Sequence, residues 1–205
     1  MSTQGGTEIV CLRHAESENV VTGASGALPL SPLTKLGRDQ ARRAAGDPRL
    51  AGVRLVYAST ALRARHTAEL LAGELGAEVV LRPGLVEIGI GHQEGVVDAA
   101  LRRETADVLA AWVVDGDLDR RVADGETGHQ VPDRVRRTLT AIAAEHAGGR
   151  VALVGHVGSL TLAVSVACGL GGSVWGAPLP HAVPFLVSVD GGRWRCDRWP
   201  DTEPG

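Results

Sequence analysis

The chain has 205 residues, a formal charge of −3 and a hydrophobic content of 44%, which fits one packed domain over residues 1–205. The small acidic excess argues against nucleic-acid-binding and membrane-binding surfaces. Three cysteines without CxxC spacing argue against a disulfide framework or a zinc site and favour a reducing compartment. Residues 1–7 lack the plan of a signal peptide, so we expect a cytoplasmic protein.

Short β-rich runs alternate with longer helical stretches along the chain. The pattern predicts strands at 8–12, 53–58, 79–81 and 150–154. It predicts helices at 35–45, 99–114 and 132–146, a helix that Ser59 or Thr60 caps and that ends near Leu75, and a buried apolar helix around 160–170.

The remaining segments predict loops and one hairpin. A loop rich in Gly, Ser and Pro runs to Pro32, residues 87–95 are Gly-rich, and 115–128 are polar. Two runs, 185–189 and 193–199, flank Asp190-Gly191-Gly192, which is typical of a hairpin. Strands that alternate with helices predict a layered α/β fold with a mostly parallel sheet and an antiparallel edge.

Basic side chains follow three of the predicted strands. Arg13 and His14 end the first strand, Arg63 lies in the first turn of the helix after the second, and His156 follows the strand at 150–154. Since ligands of such sheets bind beyond the carboxyl ends of the strands, we expect these four residues to share one pocket. Two arginines, two histidines and a helix N-terminus predict an anion site.

A neutral imidazole in such a site can attack phosphorus, and the surrounding cations, including a protonated His156, can stabilise the transition state without a metal. The leaving alkoxide then needs a proton. Glu87, in the Gly-rich loop after the third strand, is the best-placed candidate for the acid. A metal-dependent hydrolase that uses His14, Glu16 and His156 stays open at this point, although the chain has no HExxH pattern.

The same residues resemble a known family. The run 12–17, LRHAES, resembles the RHG motif that opens the histidine phosphatase superfamily, which is also called phosphoglycerate mutase-like. The later motifs of that family are matched in order at Pro32-Leu33-Thr34 with Gly37 and Gln40-Ala41, at Ser59, Leu62-Arg63-Ala64 and Thr67-Ala68, at Leu85, Glu87, Gly91 and Glu94-Gly95, at Asp124-Gly125-Glu126-Thr127, and at Val154-Gly155-His156-Val157-Gly158. The resemblance extends over nearly the whole chain, from about residue 8 to residue 199.

The resemblance implies a three-layer α/β/α sandwich and a role for each candidate. His14 would be the phosphorylated nucleophile, and Arg13, Arg63 and His156 would hold the phosphoryl oxygens. Glu87 would protonate the leaving group and then activate water. The resemblance implies further phosphate or substrate contacts, which we place at Asn19, Thr22, Gly23 and the backbone N–H of Val157. It implies no metal and no cofactor.

Three functions are compatible with these residues. We favour a metal-independent phosphatase that acts on a small phosphomonoester, because the segment 96–127, a short cap-like insertion, is too short for the insertion of the cofactor-dependent mutases. Its arginines, Arg102, Arg103, Arg120 and Arg121, are expected to be solvated. A phosphoglycerate mutase-type phosphotransferase and a non-catalytic phosphoester-binding protein are the alternatives. The few charges of the segment, with Trp112, indicate a moderately apolar substrate, and assembly as a homodimer is left open.

Overall fold

The computed structural model describes residues 6–200, whose strands build one mixed six-stranded sheet. The strands are β1 (Thr7–Arg13), β2 (Leu55–Ala58), β3 (Glu78–Leu81), β4 (Arg150–Gly155), β5 (Phe185–Asp190) and β6 (Arg193–Cys196). Their order across the sheet is β3-β2-β4-β1-β5-β6. Every strand predicted from the sequence is therefore present, with bounds that differ by one to three residues.

Strands β3, β2, β4 and β1 are parallel, whereas β5 pairs antiparallel with β1 and β6 with β5. The predicted antiparallel edge is thus confirmed. Its hairpin turns at Gly191 and Gly192, whose φ angles of 54° and 80° are the left-handed values that this tight turn requires. The carboxyl ends of the central strands open on one edge, where Gly155 of β4 lies beside Arg13 of β1.

The helices cover both faces of the sheet, which confirms the three-layer architecture. They are α1 (Glu18–Thr22), α2 (Lys35–Ala44), α3 (Leu62–Leu75), α4 (Ala99–Ala110), α5 (Gln130–Glu145) and α6 (Val157–Cys168). Side chains of β1 alternate between the two layers, as strand geometry dictates. Leu12 packs in a cluster with Leu71 of α3, whereas Ile9 packs in a cluster with Leu139 of α5 and Leu160 of α6.

Three helical regions differ from the sequence predictions. The loop before Pro32 contains the short helix α1. The predicted cap of α3 is wrong, because the helix begins one residue after Ala61 and has no side-chain cap. Ser59 has a different partner, described below. The predicted helix at 99–114 is α4 followed by a π-helical turn, Ala111–Asp115.

The segment 96–127 packs through its own apolar cluster rather than projecting into solvent. Leu101, Val108 and Trp112 are buried against Ile90 and against Leu162 of α6. The indole Nε1 of Trp112 donates to the carbonyl of Arg120 at 2.8 Å, which closes the polar loop over the cluster. This cluster forms the outer wall of the edge where β1 and β4 end.

Between residues 6 and 200, no helix combines the length and the apolar character that crossing a bilayer requires.

Candidate active site

His14 lies just beyond the end of β1 and is 3% exposed. Its Nδ1 is 2.7 Å from the carbonyl oxygen of Ala15. Since a carbonyl only accepts, Nδ1 carries the proton and Nε2 presents a lone pair. Arg63 Nε donates to that Nε2 at 3.2 Å. Burial, followed by the charges of His156, Arg63 and Arg13, holds the pKa of His14 well below its usual value, so the imidazole is neutral.

Two guanidinium groups border the His14 ring. Arg63 is 1% exposed, and its Nη1 also donates to the carbonyl of Leu28 at 2.7 Å. Arg13 donates from Nη1 to the carbonyl of Leu179 at 3.0 Å. Burial lowers the pKa of Arg13 to about 10 against the opposing charge of Glu87, so both groups stay cationic at neutral pH. Within residues 6–200, the buried Nε of Arg13 has no hydrogen-bond partner.

His156 directly follows β4 and lies beside the ring of His14. Its ring centroid is 5.2 Å from that of His14, and the planes are inclined at 61°. Nε2 shares a hydrogen bond of 2.8 Å with Ser59 Oγ, whereas Nδ1 is buried and unpaired in the described part of the chain. The expected protonated imidazole is not what the site holds: burial and the charges of Arg63, Arg134 and Arg13 keep the pKa of His156 well below its usual value. Its contribution to the site is a hydrogen bond rather than a charge.

Glu87 reaches the same pocket from the loop after β3. Its carboxylate accepts hydrogen bonds from the N–H groups of Gly158 at 3.0 Å and Ser159 at 2.7 Å, and from that of Ile88 at 3.0 Å. The first two belong to the N-terminal turn of α6, where unpaired N–H groups attract a carboxylate. The helix that follows His156 therefore also fixes Glu87.

The loop that carries His14 is held by the helices that follow in sequence. The hydroxyl of Thr67 accepts from the N–H of Ala15 at 3.0 Å. Glu16 accepts from the hydroxyl of Thr34 at 2.7 Å, and its N–H donates to the side chain of Gln40 at 2.9 Å. Gly37 leaves space for the Glu16 carbonyl, with which a Cβ at that position would collide. The matched family motifs thus converge on one loop.

An arginine of α5 holds the loop of Glu87. Arg134 donates from Nη1 to the carbonyl of Val86 at 2.8 Å and from Nη2 to that of Glu87 at 2.9 Å. It also pairs with Glu126, whose other partner is the N–H of Gly89 at 2.9 Å. The sequence contained no clear signal for Arg134, because it precedes no motif and is one of several arginines on a helix.

A third histidine was missed as well. His181 Nδ1 donates to the carbonyl of His14 at 2.9 Å, and the two ring centroids are 5.6 Å apart. The next residue, Ala182, donates its N–H to Arg13 O at 3.0 Å in a left-handed conformation with φ of 54°. The antiparallel pairing of β5 with β1 places residues just before Phe185 beside the end of β1. The pairing of β5 with β1 therefore brings His181 to His14, and no motif in the sequence indicated this contact.

A cleft of about 370 Å³ opens over these groups. Four of the five catalytic candidates, Arg13, His14, Arg63 and Glu87, line it, and His156 lies behind them. Asn19, Gly23 and Val157 line it as predicted. Thr22 does not: it is exposed and its hydroxyl donates to the carbonyl of Glu18 at 3.0 Å.

The outer part of the cleft differs from the sequence prediction in two respects. Trp112 is buried in the core and does not line it. Of the four arginines of the segment 96–127, Arg102 alone is among the described residues that line the cleft. Its Nη1 donates to the carbonyl of Gly23 at 3.0 Å, so it joins α4 to the loop after α1.

Across residues 6–200 no group of three or more His, Cys, Asp or Glu side chains could hold a metal ion. Glu16, which the metal-hydrolase alternative required, is bonded to Thr34 instead.

Comparisons with known proteins identify the family of the chain. Residues 9–202 match the family model of the histidine phosphatase superfamily (branch 1). A Serratia proteamaculans protein named "Probable phosphoglycerate mutase GpmB" is 31% identical over 165 residues, with 80% of this chain and 75% of the relative covered. Among solved structures, a mycobacterial glucosyl-3-phosphoglycerate phosphatase is 25% identical with a TM-score of 0.80, over 95% of this chain and 99% of its own. Bacillus stearothermophilus YhfR is also 25% identical with a TM-score of 0.80, over 96% and 98% of the two chains. The chain belongs to the histidine phosphatase superfamily.

Proposed function

We propose that this protein is a phosphatase that hydrolyses a small phosphomonoester through a phosphohistidine on His14. The observation that carries the proposal is the tautomer of His14. Its proton is on Nδ1, bonded to the carbonyl of Ala15, and its unprotonated Nε2 faces Arg63 in a buried pocket. A neutral imidazole with an oriented lone pair next to fixed cations has the properties of a nucleophile for phosphorus.

In the first step, Nε2 of His14 forms a bond to phosphorus while the ester P–O bond breaks. Arg13 and Arg63 bind the phosphoryl oxygens, and the free Nδ1 of His156 is close enough to contribute a further hydrogen bond. Glu87 gives its proton to the departing oxygen, so the alcohol leaves neutral.

In the second step, water attacks the phosphohistidine. Glu87 takes the proton from the attacking water, the N–P bond breaks, and the bonding pair returns to Nε2. Inorganic phosphate leaves and the site regains its starting protonation. The same carboxyl therefore acts first as acid and then as base, and the main-chain donors at the N-terminus of α6 hold it in one position for both steps.

A mutase is the second candidate because the Serratia relative carries that name. A mutase would return the phosphoryl group to a second oxygen of a phosphoglycerate, so it must also bind a carboxylate. Arg102 is the one further cation among the described residues of the cleft, and it is already bonded to Gly23. The phosphatase proposal needs no such contact.

Hydrolysis of p-nitrophenyl phosphate in EDTA tests the proposal. We expect turnover without added metal, and an acid-labile, base-stable phosphoryl group on His14 in enzyme quenched during turnover. Activity that disappears in EDTA and returns with magnesium or zinc would refute metal independence. Bisphosphoglycerate-dependent conversion of 3-phosphoglycerate, faster than hydrolysis, would favour the mutase.

A further inference from the structure

A second cavity of about 320 Å³ adjoins the catalytic cleft. Ala106, Leu109 and Val157 line both, so the two spaces share one apolar border. On the far side the second cavity is bounded by residues of α6 and of the loop after it: Thr161, Val174, Trp175, Gly176 and Pro178. None of these described lining residues is charged.

The far wall of this cavity is fixed. The indole Nε1 of Trp199 donates to the carbonyl of Ala177 at 2.8 Å, and Val174 is 3% exposed. Trp175, which lies between Val174 and Ala177 in the chain, is 40% exposed. A large aromatic side chain that borders a cavity, with much of its surface left in water, offers a flat apolar contact to a ligand.

Thr161 lines the cavity, but its hydroxyl gives the cavity no accessible polar group. The residue is 5% exposed, the hydroxyl oxygen itself is fully buried, and no residue between 6 and 200 forms a hydrogen bond with it. The wall that α6 presents to a ligand at this point is therefore apolar.

We propose that the second cavity binds the distal part of the leaving group, and that the substrates are phosphomonoesters of elongated, largely apolar alcohols or phenols. This inference rests on the proposed phosphatase activity. The phosphate binds at Arg13 and His14, the leaving group passes Leu109 and Val157, and its end lies against Trp175. A sugar or a second phosphate fits this space poorly, because none of the described lining residues is charged and the Thr161 hydroxyl is buried.

Biphenyl-4-yl phosphate and phenyl phosphate form a suitable pair, because their phenols are similarly acidic and only the distal ring differs. We expect kcat/KM for the biphenyl ester to exceed that for the phenyl ester by about tenfold or more, since a fully buried apolar extension is worth at least that factor. Equal values would overturn the subsite while leaving the phosphatase proposal intact. If neither ester were hydrolysed, the proposed phosphatase function would be overturned.

Two variants locate the effect. Trp175→Ala should reduce the biphenyl-to-phenyl ratio severalfold. Val166→Ala is the control, because Val166 is on α6, is 52% exposed and lies outside the cavity lining. An unchanged biphenyl-to-phenyl ratio in Trp175→Ala would contradict the assignment of the second cavity to the leaving group.

Phosphonate analogues of the two esters are not hydrolysed, so their binding, measured by calorimetry, tests the second cavity independently of turnover. The biphenyl phosphonate should bind about tenfold more tightly than the phenyl compound. This difference would support the subsite even in a variant that cannot turn over, such as His14→Ala. Equal dissociation constants would overturn it.

Discussion

The inner and outer halves of the cleft are built differently. In the inner half, His14, Arg63 and Glu87 are each hydrogen-bonded to main-chain atoms of other segments, and His14 and Arg63 are almost fully buried. In the outer half, α1 is largely exposed and the loop after it is half-buried, and Arg102 connects that loop to α4 through one hydrogen bond to Gly23. Rigid positioning is concentrated where phosphorus would react.

The difference implies different consequences for substitutions. A change in the inner half should affect every substrate to a similar degree, because all share the phosphoryl group. A change in the outer half should alter which leaving groups are accepted and have little effect on the rate of the chemical step.

Removal of the nucleophile should have the largest effect. We expect His14→Ala to reduce kcat by roughly 10⁴-fold or more for every phosphomonoester, since loss of the nucleophile removes the two-step route. The control is His129→Ala, because His129 is exposed and distant from the cleft. Near-normal steady-state hydrolysis by a folded His14→Ala protein would end the phosphohistidine mechanism.

Loss of the proton on Glu87 comes next. Glu87→Gln should reduce kcat/KM for alkyl phosphates by ~10²–10⁴-fold and for p-nitrophenyl phosphate much less, because p-nitrophenolate leaves without protonation. The amide cannot fully replace the carboxylate, since both oxygens of Glu87 accept from N–H groups of α6. The dependence on the leaving group is therefore the decisive measurement. Equal losses for the two kinds of ester would assign Glu87 a structural role.

Arg134 should act through the position of Glu87. We expect Arg134→Met to reduce kcat by roughly 10- to 100-fold, with KM changed little and with the leaving-group dependence of Glu87→Gln. The matched control is Arg137→Met on the same helix, where Arg137 is exposed and paired with Asp133. If Arg134→Met lowered only the free energy of unfolding and left kcat intact, the positioning role would be refuted.

The central strands and the positions of the catalytic candidates were predictable from the sequence for one physical reason. Parallel strands end on one edge, so His14 and His156 had to meet if both followed strands of the same sheet. The same rule does not describe side-chain partners within a loop. Ser59 or Thr60 was expected to cap α3, but neither does, and the hydroxyl of Ser59 is bonded to His156.

The outer half was not predictable, because no periodic pattern governs it. Trp112 was expected at the leaving group and is instead buried in the core, whereas Trp175, which no motif marked, borders the second cavity. His181 contacts His14, which lies 167 residues away in sequence, because β5 pairs antiparallel with β1. Contacts of this kind depend on the complete topology, which short motifs do not specify.

The buried histidines of the inner half should also make the stability of the folded protein depend on pH. The pKa values of His14 and His156 are lowered by burial, so below about pH 6.5 the unfolded chain binds protons that the folded chain does not. Stability is therefore complete above that pH and falls as the pH decreases, by up to about tenfold in the unfolding equilibrium per pH unit for each histidine. Urea unfolding between pH 8 and pH 5 measures the slope. It should become shallower in His156→Gln, and an unchanged slope would contradict the neutral, buried state.

The smallest effect is expected at Arg102. Its hydrogen bond to Gly23 is exposed, so Arg102→Met should raise KM for hydrolysis by only about two- to tenfold and leave kcat unchanged. Arg103→Met is the control, because Arg103 is the next residue, is exposed and does not line the cleft. A mutase would respond differently: with no other free cation among the described cleft residues for a carboxylate, it would lose 3-phosphoglycerate turnover when Arg102 is replaced. A selective loss of that turnover, with p-nitrophenyl phosphate hydrolysis retained, would show that the outer half recognises a phosphoglycerate rather than an apolar alcohol.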